Sequence, residues 1–213
     1  MTSEIRDETA LIRHAKSPFF LAELEEMIAL ANCRLAWWFV DIGCGNGALV
    51  EAASKHGARG IGLDISRQGL RTATGRVHTG SFLQARAQDL PLRSGSVDVI
   101  FAQHVIEHLP DYRAALLEWF RILKHSGRLV VLTPNARYPN PAIYEDPEHV
   151  LIFESTTLQR EISDSGLRVM RTETIFPHVS GHTVFGLRWR RVLGLIPPWR
   201  SSGRSLVCLA EKP

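Results

Sequence analysis

The stretch VDIGCGNGA at residues 40–48, taken with GLDIS at 62–66, decides how this chain is read. An apolar run, Trp37-Trp38-Phe39-Val40-Asp41-Ile42, precedes the first glycine and suits a buried strand, and the glycines at 43, 45 and 47 end it and open a helix. Gly43 permits a tight turn, Gly45 lets a ligand approach the backbone with no Cβ in the way, and Gly47 allows close packing. Asp64 lies 21 residues past Gly43, at the end of the next strand, where a carboxylate can accept both hydroxyls of a ribose. Gly43, Gly45 and Ala48 also satisfy the dinucleotide pattern G-x-G-x-x-A, so the glycines alone do not choose the nucleotide. The plainer alternative is a strand-end turn in which Asp64 only caps the helix that follows.

Working outward, strand and helix patterns alternate along the chain. A helix spans about 46–55, a strand 59–64, a helix capped by Ser66 follows, and a third strand runs 82–87. Residues 97–102 form a fourth strand, 111–123 a helix, and 127–133 a fifth strand stopped by Pro134. Ser155 begins a helix ending at Gly166, followed by strands at 167–176 and 205–210. Crossovers of this length require a mostly parallel sheet, so the chain is α/β: a Rossmann-like, seven-stranded sheet with helices on both faces. Ahead of it, Phe20, Leu21, Leu24, Met27, Ile28 and Ala31 recur at helical spacing and form an N-terminal amphipathic helix. The whole is one domain: a helical cap (1–36), a core (37–176), a variable lid insert (177–204) and a closing strand (205–213).

Composition narrows the class. At 213 residues, 45% hydrophobic and 22% charged, the chain is ordinary globular material, and its net charge of +3 is too mild to suggest a nucleic-acid partner. Three scattered cysteines, Cys33, Cys44 and Cys208, form no CxxC pair, which favours a reducing, cytoplasmic setting without a zinc knuckle. No apolar run reaches the roughly 18 residues a membrane span needs. The charge is unevenly placed. Between 174 and 210 there is no acid, while Arg188, Arg190, Arg191, Arg200 and Arg204 lie among Trp189, Trp199 and several leucines. Such an insert suits an anionic or lipid-like substrate or a membrane surface; its plainer role is to cap the sheet.

The chain resembles the class I S-adenosylmethionine-dependent methyltransferases, in particular the small-molecule group that includes the quinone-biosynthesis enzymes. VDIGCGNG (40–47), GLDIS (62–66), AQDLPLRSGSVDVIFAQHVIEHL (87–109) and SGRLVVLTPN (126–135) carry the resemblance, in the family's order and over roughly residues 37–170. It implies a last strand that runs antiparallel, matching SLVCLAEKP, with S-adenosylmethionine as cofactor and S-adenosylhomocysteine as product. Asp41, Gly43, Cys44, Gly45 and Gly47 would face the methionine and sulfonium part. Asp64 would hold the ribose, with Ile65 in the same donor-contacting set. Asp89 would accept from the adenine amino group while Leu90 packs on the ring and Gln88 lines the same wall. Gln103 and His104 would border the donor and point toward the acceptor.

Methyl transfer is an in-line displacement, so a dry, collinear arrangement lowers much of the barrier and a general base is optional: a phenol or enol oxygen ionises readily, whereas an alcohol or ammonium acceptor gains more from a nearby His or carboxylate. Among the histidines, His149, in the loop DPEHV, and His104, just after the fourth strand, are the candidate catalytic groups; His108 reads as structural. His104 and His108 have the i, i+4 spacing of helical metal ligands, but the HExxH order is absent and no cysteine or carboxylate cluster completes a site, so no metal is expected. TPNARYPN lacks the N-P-P-Y-like turn expected of base- or amide-modifying enzymes. The expected activity is methyl transfer to a small organic acceptor, oxygen first. The rivals are a nicotinamide-dependent oxidoreductase, which lacks its Tyr-x-x-x-Lys pair here, and a catalytically silent donor-binding protein.

Overall fold

The computed structural model describes residues 24, 27–32, 34–138, 147–175 and 204–213. Most of the expected N-terminal cap, part of the loop after Pro134 and the insert at 177–203 therefore lie outside the described residues. The elements are β1 (Trp38–Ile42), α1 (Ala48–Ser54), β2 (Arg59–Asp64), α2 (Arg67–Arg76), β3 (Gly80–Gln84), β4 (Val97–Gln103) and a 3-10 turn (Ile106–His108). They continue with α3 (Tyr112–Ile122), β5 (Leu123–Pro134), α4 (Ser155–Asp164), β6 (Arg168–Ile175) and β7 (Ser205–Glu211).

The seven strands form one sheet in the order β3-β2-β1-β4-β5-β7-β6. The pairs β1–β2, β1–β4, β2–β3 and β4–β5 are parallel, whereas β7 runs antiparallel to both β5 and β6. The expected Rossmann-like sheet with an antiparallel last strand is thus the observed one.

Alternation along the strands builds a core on each face. Val40, Ile42, Ile100, Ala102, Leu129 and Val131 pack with Ala115, Leu116, Trp119 and Ile122 of α3 and Leu158 and Ile162 of α4. The intervening Phe39, Val99, Phe101, Val130 and Leu132 pack with Leu49, Val50 and Ala53 of α1 and with the helical residues at 27–31. A sheet covered on both sides needs apolar residues at successive positions, which is why Val99–Ala102 of β4 and Leu129–Leu132 of β5 are continuous apolar runs. Leu24, Met27, Ile28 and Ala31 of the amphipathic N-terminal stretch are buried as their spacing implied.

Capping follows the sequence closely. Ser66 Oγ accepts from the Gly69 N–H at 3.1 Å, and Asp111 Oδ1 does the same for Ala114. The third strand departs from expectation, lying at 80–84 instead of 82–87. Its parallel register with β2 pairs Gly60 with Gly80 and ends at Asp64 with Gln84. Residues beyond it are drawn into a loop by α3. Trp119 Nε1 donates to the Ala87 carbonyl at 2.9 Å, and Glu118 Oε1 accepts from the Leu90 N–H at 2.8 Å.

Helices α3 and α4 are tied by Arg113, whose Nε and Nη2 reach Glu161 at 2.7 and 3.1 Å. The Arg113 guanidinium, assisted by Arg160, holds the Glu161 carboxyl down at about 2. A depressed carboxylate stabilises the fold above its unfolded-state value and ceases to do so as pH falls through the folded one. Wild-type stability should therefore carry a component lost between about pH 4.5 and about pH 2. In urea unfolding across that window, Glu161→Gln should show the shallower decline; identical slopes would contradict the assignment.

Candidate active site

In this sheet the chain proceeds outward from β1 through β2 to β3, then returns to the other side of β1 with β4. Connections on the two sides run away from each other, which leaves a crevice at the carboxyl ends of β1 and β4. Three groups of residues meet at that edge: the glycine turn after β1, Asp64 at the end of β2, and the segment that follows β4.

The turn after β1 is hooked onto β2. Leu63 O accepts from both the Gly43 N–H, at 2.7 Å, and the Cys44 N–H, at 3.1 Å. Gly43 and Gly45 have φ of 71° and 48°, left-handed values that side chains disfavour. Their surroundings differ. A Cβ on Gly43 would lie 2.5 Å from Val105 Cγ2, whereas one on Gly45 would meet nothing within 4 Å. Gly47 is closed in by Phe82 and Ala73, so its role is packing. The glycine turn therefore rests against the segment after β4 at one end and is open at its middle.

Asp64 spans the mouth of the turn. Its Oδ2 accepts from the Gly45 N–H at 2.8 Å and its Oδ1 from the Ser66 N–H at 2.7 Å. Asp41 is 3% exposed, and burial, with Asp64 nearby, pushes its carboxyl well above the usual range. The Cys44 thiol is likewise driven upward by burial and by Asp41 and Asp64, so it is protonated and unreactive.

The adenine-side residues are divided by the fold. Asp89 is exposed and Gln88 half-buried in the loop after β3. Leu90, expected to offer its side chain to an adenine ring, is 3% exposed and belongs to the core formed with α3. That is a correction: the bond from its N–H to Glu118 turns it inward. Ile65, by contrast, is 68% exposed beside Asp64.

After β4 the chain turns sharply. Gln103 is half-buried at the strand end, and His104 adopts φ of 53°, with its N–H donating to Leu132 O at 2.8 Å. The His104 Nδ1–H donates to Glu107 Oε1 at 3.1 Å. Glu107 is fully buried, and its Oε2 accepts from Thr133 Oγ1 at 3.0 Å. Burial would raise the Glu107 carboxyl, but His104, and more weakly His108, bring it below the ordinary value, so it is ionised. The Glu107 carbonyl accepts from Val150 and Leu151, which fastens the loop carrying His149. His108 donates from Nδ1 to Glu148 O at 2.9 Å, and its ring lies 4.9 Å from that of His149.

His104 and His108 do not share a helix face, because His104 precedes the 3-10 turn in a left-handed conformation. The carboxylate that spacing did not reveal is Glu107. It, His108 and His149 each bring one donor atom, the three within 4.8 Å of one another. A tetrahedral ion holds such atoms about 3.3 Å apart. The three are close enough to be a candidate for a metal ion, and the carboxylate already accepts hydrogen bonds from His104 and Thr133.

A crevice at the point where the strand order reverses, with a glycine turn and a strand-end carboxylate, is the mark of a nucleoside-binding α/β protein. Residues 40–131 match the family model described as a methyltransferase domain. That match covers the central part of the chain, which is similar there to S-adenosylmethionine-dependent methyltransferases. The chain is 29% identical over 153 residues to the uncharacterized methyltransferase YcgJ of Bacillus subtilis, covering 70% of this chain and 60% of that protein. It is 31% identical over 127 residues to a ubiquinone biosynthesis O-methyltransferase of Methylococcus capsulatus, covering 57% of this chain and 52% of that protein. The chain thus spans between about half and three fifths of these relatives' lengths. A crystal structure of a SAM dependent methyltransferase from Archaeoglobus fulgidus shares the fold, with a TM-score of 0.72 at 21% identity, covering 97% of this chain and all of that one. Among the described residues, no helix is long and apolar enough to cross a membrane.

Gly43 and Gly45, both left-handed but differently surrounded, make a direct comparison. Gly45→Ala should lose the ~1–2 kcal/mol of a left-handed alanine. Gly43→Ala should lose more, because its new methyl also meets the Val105 side chain. Urea midpoints in the reverse order would contradict this account of the turn.

Proposed function

We propose that this protein transfers the methyl group of S-adenosylmethionine to an oxygen of a small organic acceptor. The observation that carries the reading is the adjacency of His104 and the glycine turn: Val105, the next residue, is the one pressed against Gly43. That adjacency supports reading His104 as a base beside the donor. The name of the Methylococcus capsulatus relative supports oxygen as the atom methylated.

The strand-end residues suit the donor. Gly45 faces open space. Each Asp64 oxygen accepts one backbone N–H and keeps a lone pair, so the carboxylate can also accept both ribose hydroxyls. Asp89 and Gln88 are placed for the adenine edge and Ile65 for its face. Asp41 and Asp64 offset a sulfonium, which a helix N-terminus alone would repel. When bound, S-adenosylmethionine supplies a methyl on positive sulfur, and the C–S electron pair leaves with the sulfur as the acceptor oxygen bonds to carbon. His104 takes the hydroxyl proton, so the charge lost from sulfur reappears on imidazole. Of the two candidate bases, His104 is favoured because a buried carboxylate stands behind it; His149, its ring tilted 42° to that of His108, is a substrate hydrogen-bonding group. The insert's preference for an anionic or lipid-like acceptor is part of the same proposal.

Calorimetry should detect S-adenosylhomocysteine but not NAD, and donor-dependent methylation should occur within a panel of phenolic and enolic acceptors. NAD binding without S-adenosylhomocysteine binding, or donor binding with no acceptor turned over, would overturn the proposal. Asp64→Ala should weaken S-adenosylhomocysteine binding by ~1.5–3 kcal/mol, the worth of hydrogen bonds to a charged group.

A further inference from the structure

We infer that the outer face of α2 carries a second ligand site, a groove that binds a small phosphate ester at the edge of the sheet, apart from the donor crevice.

The groove has a volume of about 490 Å³ and is lined by Arg67, Leu70, Arg71, Thr74 and Gly75 of α2 and by Gln84 at the end of β3. That size lies within the range of small-molecule sites. The helical residues recur at i, i+3, i+4, i+7 and i+8, the stripe by which a helix ordinarily packs on a neighbour. Here α2 buries Gly69 and Ala73 instead. β3 is the outermost strand, so the sheet offers no further strand to cover the stripe.

The groove is cationic. From Ile65 to Gln88 the chain has four arginines and no acid. Arg76 is answered by Glu51 at 2.7 Å. Arg67 instead donates from Nε to the neutral Gln84 Oε1 at 3.0 Å, and among the described residues neither Arg67 nor Arg71 has a carboxylate partner. Like charges four residues apart on a helix repel, and an anion between them replaces repulsion with attraction. Gln84 is braced in turn, donating from Nε2 to Ile65 O at 2.9 Å. It therefore holds the Arg67 guanidinium by one edge and leaves the Nη groups to a ligand.

Gly75 is a second, independent sign. It lies in the last turn of α2, where glycine is the poorest helix former after proline, and its φ is not left-handed. A Cβ there would meet nothing within 4 Å, so neither backbone conformation nor packing among the described residues requires a glycine. Its bare backbone lets the organic part of a ligand come close beside Leu70.

Two guanidiniums match a dianion. A carboxylate brings one charge and is satisfied by one guanidinium fork, whereas a phosphate monoester carries nearly two charges and three acceptor oxygens, enough for both arginines. Asp64, the nearest donor-contacting acid in sequence, is turned to the glycine loop through Gly45, and none of the groove residues belongs to the donor-contacting set.

Calorimetry on the full chain tests the site, with glycerol 3-phosphate and inorganic phosphate as probes. Glycerol 3-phosphate should bind, and more tightly than inorganic phosphate, which leaves Leu70 and Gly75 untouched. Saturating S-adenosylhomocysteine should not displace it. Arg71→Gln should weaken binding roughly tenfold or more, the worth of a hydrogen bond to a charged group. Gly75→Leu should abolish binding without lowering the urea midpoint, since the new side chain fills open space on a helix. Both positions are exposed, and either variant alone suffices for the test. No binding of glycerol 3-phosphate, equal affinity for the two probes, unchanged binding in the variants, or displacement by S-adenosylhomocysteine would overturn the inference. So would retention on phosphatidylcholine vesicles containing phosphatidate, or on single-stranded RNA, without binding of the soluble ester.

Discussion

Two parallel connections that diverge from neighbouring strands cannot both cover the gap between them, and everything at the candidate site depends on that constraint. Between β1 and β4 the sheet has continuous hydrogen bonding below and, among the described residues, no strand connection crossing above. The backbone leaving each strand must be satisfied locally. On the β1 side, Leu63 takes two amides from the glycine turn; on the β4 side, Leu132 takes that of His104. Both turns use left-handed residues, since only such a reversal returns the chain to its neighbour within one or two positions. The van der Waals contact between Val105 and the glycine turn joins the two halves.

The same edge concentrates acids. Asp41, Asp64 and Glu107 all lie at strand ends or just past them, and two are buried. They are handled differently. Asp41 has only burial and a like charge to respond to, and it moves toward the neutral form. Glu107 has a histidine and a hydroxyl, and it remains charged. A cation entering between them would relieve the first and leave the second undisturbed, a division that suits a sulfonium on one side and a proton acceptor on the other.

Glu107 also illustrates why the site was only partly legible in the sequence. His104 stands out because histidine near a strand end is chemically conspicuous. Within VIEHL, Glu107 looks like one polar residue on a short turn, and its burial depends on Thr133 and on residues 150–151, which are distant in sequence. The available signal was the acid three residues after a histidine at a strand end. Leu90 fails for the opposite reason. Its place after Asp89 suggested a ligand face, but a bond to Glu118 across 28 residues turns it into the core.

By itself, the sequence determined the order of strands and helices, the glycine turn, the Ser66 cap and Asp64 at its strand end. These are short-range matters, set by periodicity, backbone freedom and side-chain-to-backbone bonds over a few residues. β2 occupies 59–64 as read, because its apolar run and terminal acid leave no other register. The tertiary structure decided where β3 stops, which way Leu90 points, how His104 is oriented and that His149 sits beside His108. Those outcomes turn on partners brought together by packing, on Trp119 and Glu118 reaching across from α3 and on a carboxylate cut off from water. Their energies exist only once the sheet and its covering helices have assembled.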